Sequence, residues 1–260
     1  MATPTFDPLP AAPPQDKTAG GMLKVLAMES GLPIGVVALL DGGEVVAEAR
    51  FSGREGHVVH LPMAANTLFH RLGWQPGMLD LIVVTTGPGA FAGLRVALGF
   101  AKGISLGGAI PLVGISTATA LAAGVPDGAG EVVAVLTDAR RGELFFSWYR
   151  LDDAGFPETR AEPRAISPSD LPGVCTPLLD FSRVTLTGNA LVAHGERLRE
   201  LLGNRAKMVP ESGWEVDGGV LGRLGIAAWR RFGPSVAARL EPGYGRLAEA
   251  ESRRLERLGG

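Results

Sequence analysis

One pattern occurs twice in these 260 residues, and it limits the fold more than any single motif does. LKVLAMESG and then GVVALLDGGEVVAEARF place an apolar strand, a turn and a hairpin in succession, with Asp41-Gly42-Gly43 supplying the positive φ that a tight hairpin turn wants. EVVAVLTDARRGELFFSWYRLDDAGFPETRA repeats this order, with its turn at Arg141-Gly142 and a further turn at Asp152 to Gly155 that leads to a possible third strand. After the first opening, Leu61, Ala64, Ala65, Leu68 and Leu72 recur at helical spacing between His57 and Trp74. LDLIVVTTG follows as a strand apolar on both faces, then a helix on Leu94, Ala97, Leu98, Ala101 and Ile104, a strand in GGAIPLVGIS and a helix in STATALAAG. After the second opening come a proline-rich loop (157–177), the strand VTLTGNA and helices at 191–202 and 219–232. Such alternation predicts two related α/β lobes facing one another.

The breaker cluster GVPDGAG sets the predicted boundary, with a first lobe over 22–126 and a second over 127–240. Residues 1–21 contain five prolines and one basic residue, lack the pattern of a secretory signal, and read as a disordered tail. Residues 241–260 read as a charged C-terminal tail. A net charge of −2 gives no electrostatic footprint for nucleic acid, so work on RNA calls for a partner. The lone cysteine, Cys175, excludes an internal disulfide and fits a reducing cytoplasm. No apolar run approaches the ~20 residues that span a bilayer.

The densest candidate motif is TTGPGAFAGLRVALGFAKG, residues 85–103. Gly87-Pro88-Gly89 ends a buried strand and Gly93 precedes a helix, so helix-start N–H groups could hold an anion. The stretch lacks the Gly-Lys-Ser/Thr of a P-loop and the spaced glycines of a dinucleotide fingerprint. The small residues Ala97, Gly99, Ala101 and Gly103 permit close helix approach, in the core or at an interface. Glu29 and Asp138 stand at comparable places in the two halves and, with Gly87 and Gly89, are the weak candidates for a magnesium-nucleotide site. His57 and His60 lack a third zinc ligand, and neither Ser30 nor Ser116 has a recognisable triad.

The segments LKVLAMESG, GPGAFAGLRVALGFAKGI, GISTATALA, DARRGELFF, LTGNA and EPGYGR resemble, in this order, the TsaB (YeaZ) family across residues 22–246. GPGAFAGLR followed by AKG is similar to the family's GPGSFTGLR signature, and DARRGE to its DAR-x-GE hairpin. The resemblance implies a duplicated actin-like, Hsp70-like ATPase fold (ASKHA) and a non-catalytic scaffold, despite an M22 glycoprotease label inherited from TsaD, whose H-x-x-x-H metal ligands are not reproduced here. It implies a homodimer in isolation, exchanged for a complex with a TsaD-like catalytic subunit and joined by a TsaE-like ATPase. That complex transfers a threonylcarbamoyl group to adenosine 37 of tRNAs reading codons that begin with A.

On this reading the chain holds no tightly bound cofactor, ATP enters at the level of the complex, tRNA is met only through it, and the protein is cytoplasmic and off the membrane. The implied partner surface, carried over to the two N-terminal-lobe helices, is Leu61, Ala65, Leu68, Phe91, Leu94, Arg95, Leu98 and Lys102. The family's Asp-Thr-Ser is Glu29-Ser30-Gly31 here, its signature Ser and Thr are Ala90 and Ala92, and its final Tyr-Leu-Arg is Tyr244-Gly245-Arg246. The rival readings are an independent nucleotide-dependent phosphotransferase or ATPase working in the inter-lobe cleft and, further off, a metalloprotease.

Overall fold

A computed structural model describes residues 22–52, 56–126 and 128–243. The readings placed on residues 1–21, on the end of the C-terminal tail and on Tyr244-Gly245-Arg246 lie outside these. The first unit runs β1 (Lys24–Glu29), β2 (Ile34–Asp41), β3 (Glu44–Ser52), α1 (Gly56–Leu72), β4 (Leu81–Gly87), α2 (Phe91–Gly108), β5 (Leu112–Ser116) and α3 (Thr117–Ala123). The second runs β6 (Val132–Arg140), β7 (Glu143–Leu151), β8 (Pro157–Ile166), α4 (Leu171–Cys175), β9 (Val184–Thr187), α5 (Leu191–Leu202), β10 (Ala206–Met208) and α6 (Gly218–Phe232).

The sheets have the orders β3-β2-β1-β4-β5 and β8-β7-β6-β9-β10, so the same topology is built twice. In each, the first three strands form an antiparallel meander and two later strands run parallel to the opening strand. This is the duplicated α/β arrangement that the two repeated openings predict. Both expected hairpins form. Gly42 and Gly43 have φ of 64° and 94°, and Arg141 and Gly142 have 55° and 78°, the positive pair that matches the twist of the flanking strands.

Side-chain alternation sorts the core into layers. On one face of the first sheet, Leu26, Met28, Val37, Leu39, Ile82 and Val84 pack with Leu61, Ala65 and Leu68 of α1 and Ala97, Leu98 and Ala101 of α2. The outer face of the second sheet packs similarly on α4 and α5, with Cys175 buried there. Between the sheets lies one shared layer: Val25, Ala27, Val83, Val113, Val133, Val135 and Tyr149 close on Leu121 of α3 and on Leu221, Leu224 and Trp229 of α6.

Two expectations from sequence are corrected. The predicted second lobe includes α6, yet α6 returns to the first sheet, packing on all five of its strands. Gly222 and Gly225 permit that approach: a Cβ at Gly222 would stand 2.5 Å from Leu40 Cδ2, and one at Gly225 would overlap Val83. The proline-rich loop is in its first ten residues the strand β8. It sits at the edge of the second sheet, where a proline's missing N–H breaks no ladder on the open side. No helix among the described residues is long and apolar enough to cross a membrane.

Gly225→Leu should force α6 off the sheet and cost about 3 kcal/mol or more, read as a lowered urea midpoint. A midpoint within 0.5 kcal/mol of the parent would contradict this packing.

Candidate functional site

The glycine turn is packed against its own chain. Ala90 N–H donates to Gly31 O at 2.7 Å, and a Cβ at Gly89 would come within 2.8 Å of the same oxygen. A Cβ at Gly93, in the first turn of α2, would overlap Ser30 O. From the other side Gly243 N–H donates to Thr86 O at 2.7 Å, and Gly87, at φ 109°, leaves its missing Cβ to Gly243 O. Three glycines therefore let three backbones meet at the end of β4. The helix is delivered by a cis Gly87-Pro88 bond and begins without a side-chain cap.

Beside this turn, Glu29 is fully buried. Its Oε1 accepts from Gly31 N–H, in a very short contact, and from Leu32 N–H at 3.0 Å, closing the β1–β2 turn on itself. Its Oε2, Thr85 Oγ1 and Thr117 Oγ1 are buried with no hydrogen-bond partner among the described residues. Burial pushes the Glu29 carboxyl up to about 7, against the opposing pull of the Gly31, Leu32 and Ser30 N–H groups. Asp138 differs in every respect. It is exposed, its N–H donates to Asn189 Oδ1, and its carboxylate accepts from Arg140 N–H at 2.7 Å in the strained hairpin tip. The two carboxylates expected to form one magnesium-nucleotide site thus serve two separate turns. His57 is committed as well, with Nδ1 2.9 Å from Ser30 Oγ and its ring edge-on to Phe51.

The implied partner surface divides in two. Leu61, Ala65, Leu68, Leu94 and Leu98 are buried inside the lobe, so they hold α1 and α2 to the sheet rather than meet a partner. Contrary to what the resemblance implies, these five form no partner surface, because the periodic apolar stripe of a helix is the core-facing one. Phe91 and Arg95 are exposed, with the guanidinium 4.0 Å from the ring centre, and Lys102 is half-exposed. The same outward face carries apolar residues that the sequence reading passed over: Val59 and Met63 on α1 and Leu106, 73% exposed, on α2. Their signal was present as apolar residues out of phase with the buried stripe.

Sequence and structure comparisons agree on the relatives. A family model described as TsaD, tRNA N6-adenosine threonylcarbamoyltransferase, matches residues 44–168. The Escherichia coli tRNA threonylcarbamoyladenosine biosynthesis protein TsaB is 33% identical over 135 residues, 51% of this chain and 58% of that protein. The chain thus spans little more than half the length of that relative in the match. The Bacillus subtilis protein of the same name is 26% identical over 247 residues, 90% of this chain and 99% of its own length. Among solved structures, YeaZ from Pseudomonas aeruginosa superposes with a TM-score of 0.72 at 25% identity, covering 86% of this chain and all of that one.

Replacing Glu29 by Gln tests the buried carboxyl. The folded chain keeps a proton that the unfolded chain releases above about 4.5, so stability should fall as pH rises from there to about 7 and level off beyond. Between pH 5 and 8 the parent should lose roughly 3 kcal/mol more than Glu29→Gln, measured by urea unfolding of both. Parallel pH profiles would show that the carboxyl is ionised throughout. With the glycine turn, the doubled sheet and these relatives on one side of the comparison, the chain is similar to proteins of the TsaB (YeaZ) family.

Proposed function

We propose that this chain is a non-catalytic scaffold that binds and activates a TsaD-like subunit for threonylcarbamoyl transfer to adenosine 37 of tRNA. The observation that carries the reading is the outward face of α1 and α2, where Val59, Met63, Phe91 and Leu106 stand in solvent above a core that is already complete without them. Large apolar side chains grouped on one side of a helix pair mark a protein contact. The relatives named for threonylcarbamoyladenosine biosynthesis support this process, and the TsaD family match to residues 44–168 supports kinship of the chain with the catalytic subunit it is proposed to bind.

A scaffold role is further supported by what occupies the places where chemistry would be sought. The turn after β4 is filled by Ser30-Gly31 and Gly243, and the Glu29 carboxylate is spent on its own turn. In this scheme the chain alone pairs with itself through the α1–α2 face and gives up that contact for the catalytic subunit. A TsaE-like ATPase joins the assembly, ATP is used there, and tRNA is met only by the complex, in the cytoplasm.

Met63→Asp and Leu106→Asp test the face directly. Each should weaken capture of the cognate TsaD-like subunit by roughly 30-fold or more, the cost of losing an interface anchor, while thermal unfolding of the isolated chain stays within a few degrees. Leu98→Asp is the contrasting control: at 3% exposure it should unfold the lobe. Undiminished co-purification of both surface variants would sink the assignment of the face.

A further inference from the structure

Helix α6 and the segment after it carry charge of one sign. Between residues 218 and 240 stand Arg223, Arg230, Arg231 and Arg239, with no lysine, aspartate or glutamate, although the whole chain holds 27 acids and a net charge of −2. Arg223, Arg230 and Arg231 follow the spacing i, i+7, i+8 and share the exposed face of the helix. None of the four arginines makes an ion pair among the described residues: Arg223 donates to Gly43 O at 3.3 Å, and the Arg231 guanidinium stands 5.1 Å from the ring centre of Phe232. Of the flanking acids, Glu215 pairs with Arg50 at 2.7 Å, Asp217 accepts from Val220 N–H at the start of the helix, and Glu241 follows the segment.

Arginine in the last turn of a helix complements the negative end of its dipole, which accounts for Arg230 and Arg231. It accounts neither for Arg223, about two turns earlier, nor for Phe232, a large ring left 72% exposed at the end of the stripe. A guanidinium forks onto phosphate oxygens with two parallel hydrogen bonds and stays charged throughout the physiological range. An exposed aromatic ring beside it offers a face on which a base can stack. Arginines in line with a free ring are the combination that holds a nucleic-acid strand. Beyond Phe232 the chain turns so that Ala237 and Leu240 pack into the layer under α2. The patch therefore ends beside the helix whose outward face is assigned to the catalytic subunit.

We propose that Arg223, Arg230, Arg231 and Arg239 form with Phe232 an RNA-contact strip, the arginines on backbone phosphates and the ring under one unpaired base. This rests on the scaffold reading above and adds a direct contact between this chain and the RNA of the complex. A few arginines hold RNA weakly, so the strip acts once the catalytic subunit has bound the same molecule and the second contact has become intramolecular. Phosphate contacts fix the register of a nucleic acid without reading its sequence. The strip thereby orients the RNA for the subunit that carries out the transfer.

Salt dependence and base stacking can be read separately. The complex of the full-length chain with its cognate TsaD-like subunit is titrated with an unmodified tRNA transcript by fluorescence anisotropy, from about 50 to about 300 mM KCl. Arg230→Gln/Arg231→Gln should weaken binding about fivefold or more and lower the slope of log affinity against log salt by about 1.4 to 1.8, two phosphates at roughly 0.7 to 0.9 each. Phe232→Ala should weaken it about fivefold or more, the cost of one stacked base, with the slope unchanged. Both variants should capture the TsaD-like subunit at parental strength. If the arginine pair proves necessary for folding, Arg230→Lys/Arg231→Lys keeps the charge and should keep the slope while losing about twofold or more in affinity, and Phe232→Ala decides independently. Parental RNA affinity and slope in both variants would overturn the strip. So would a loss of RNA binding that merely follows weaker capture of the TsaD-like subunit, which would make the patch a protein contact. If the parent chain captures no TsaD-like subunit, the scaffold reading falls, and the isolated chain at low salt decides the strip. Binding of the transcript at roughly 100 µM or tighter, removed by Arg230→Gln/Arg231→Gln, would support it, and no binding would overturn it.

Discussion

The layer between the two sheets is what the remainder of the molecule depends on. Each sheet offers it one apolar face, and among the described residues α3 and α6 are the helices that lie there. Burying both inner faces at once frees the outer faces for separate work. α4 and α5 cover one, and α1 and α2 cover the other while presenting their own far sides to solvent. The fold resembles two half-cores sharing a wall more than two domains joined by a linker. The close seating of α6, with Gly222 on Leu40 and Gly225 over Val83, keeps that wall thin.

The end of β4 shows how the same loop shape can serve packing rather than ligand binding. A glycine turn leading into a helix start suits an anion when the backbone N–H groups face open space. Here the space is taken by the carbonyls of Ser30, Gly31 and Gly243. Glu29 belongs to the same economy of space. A carboxyl that folds back onto the two N–H groups after it stabilises the tight β1–β2 turn, and the cost is the desolvation that lifts its proton affinity. Ser30 then connects this turn to the first turn of α1 through His57. The start of the exposed helix is thereby fixed to the carboxylate turn and held beside the glycine turn.

Much of this was legible in residues alone, and the misses have physical causes. Period-two apolar runs and Asp41-Gly42-Gly43 read as a hairpin because local chemistry decides hairpins. The duplication was visible because both openings use it. β8 was read mainly as loop because proline is a breaker everywhere except at a sheet edge, and edge position is a tertiary fact. β10 is three residues long, too short for any periodicity. The lobe to which α6 belongs was hidden because an amphipathic helix says that it has an apolar face and not which sheet that face meets. Five of the eight residues of the implied partner surface are core for a related reason: Leu61, Leu68 and Leu98, for example, follow the helical repeat, whereas Val59, Met63 and Leu106 break it. Glu29 was noticed for its position, but its use by its own turn depends on a conformation that the sequence does not spell out.

The return of α6 also bears on how the protein can be made. Residues 218–232 complete a wall of the sheet built from residues 24–116, and Ser235, Leu240 and Gly243 then run along its β5 edge and the end of β4. During synthesis from the N-terminus, the first lobe therefore waits with one apolar face bare until residues 218–232 have left the ribosome. The second lobe's strands are in hand earlier than the helix that finishes the first. Order of synthesis and order of completion run in opposite directions, and until α6 is made the nascent chain needs protection for the face that it will cover.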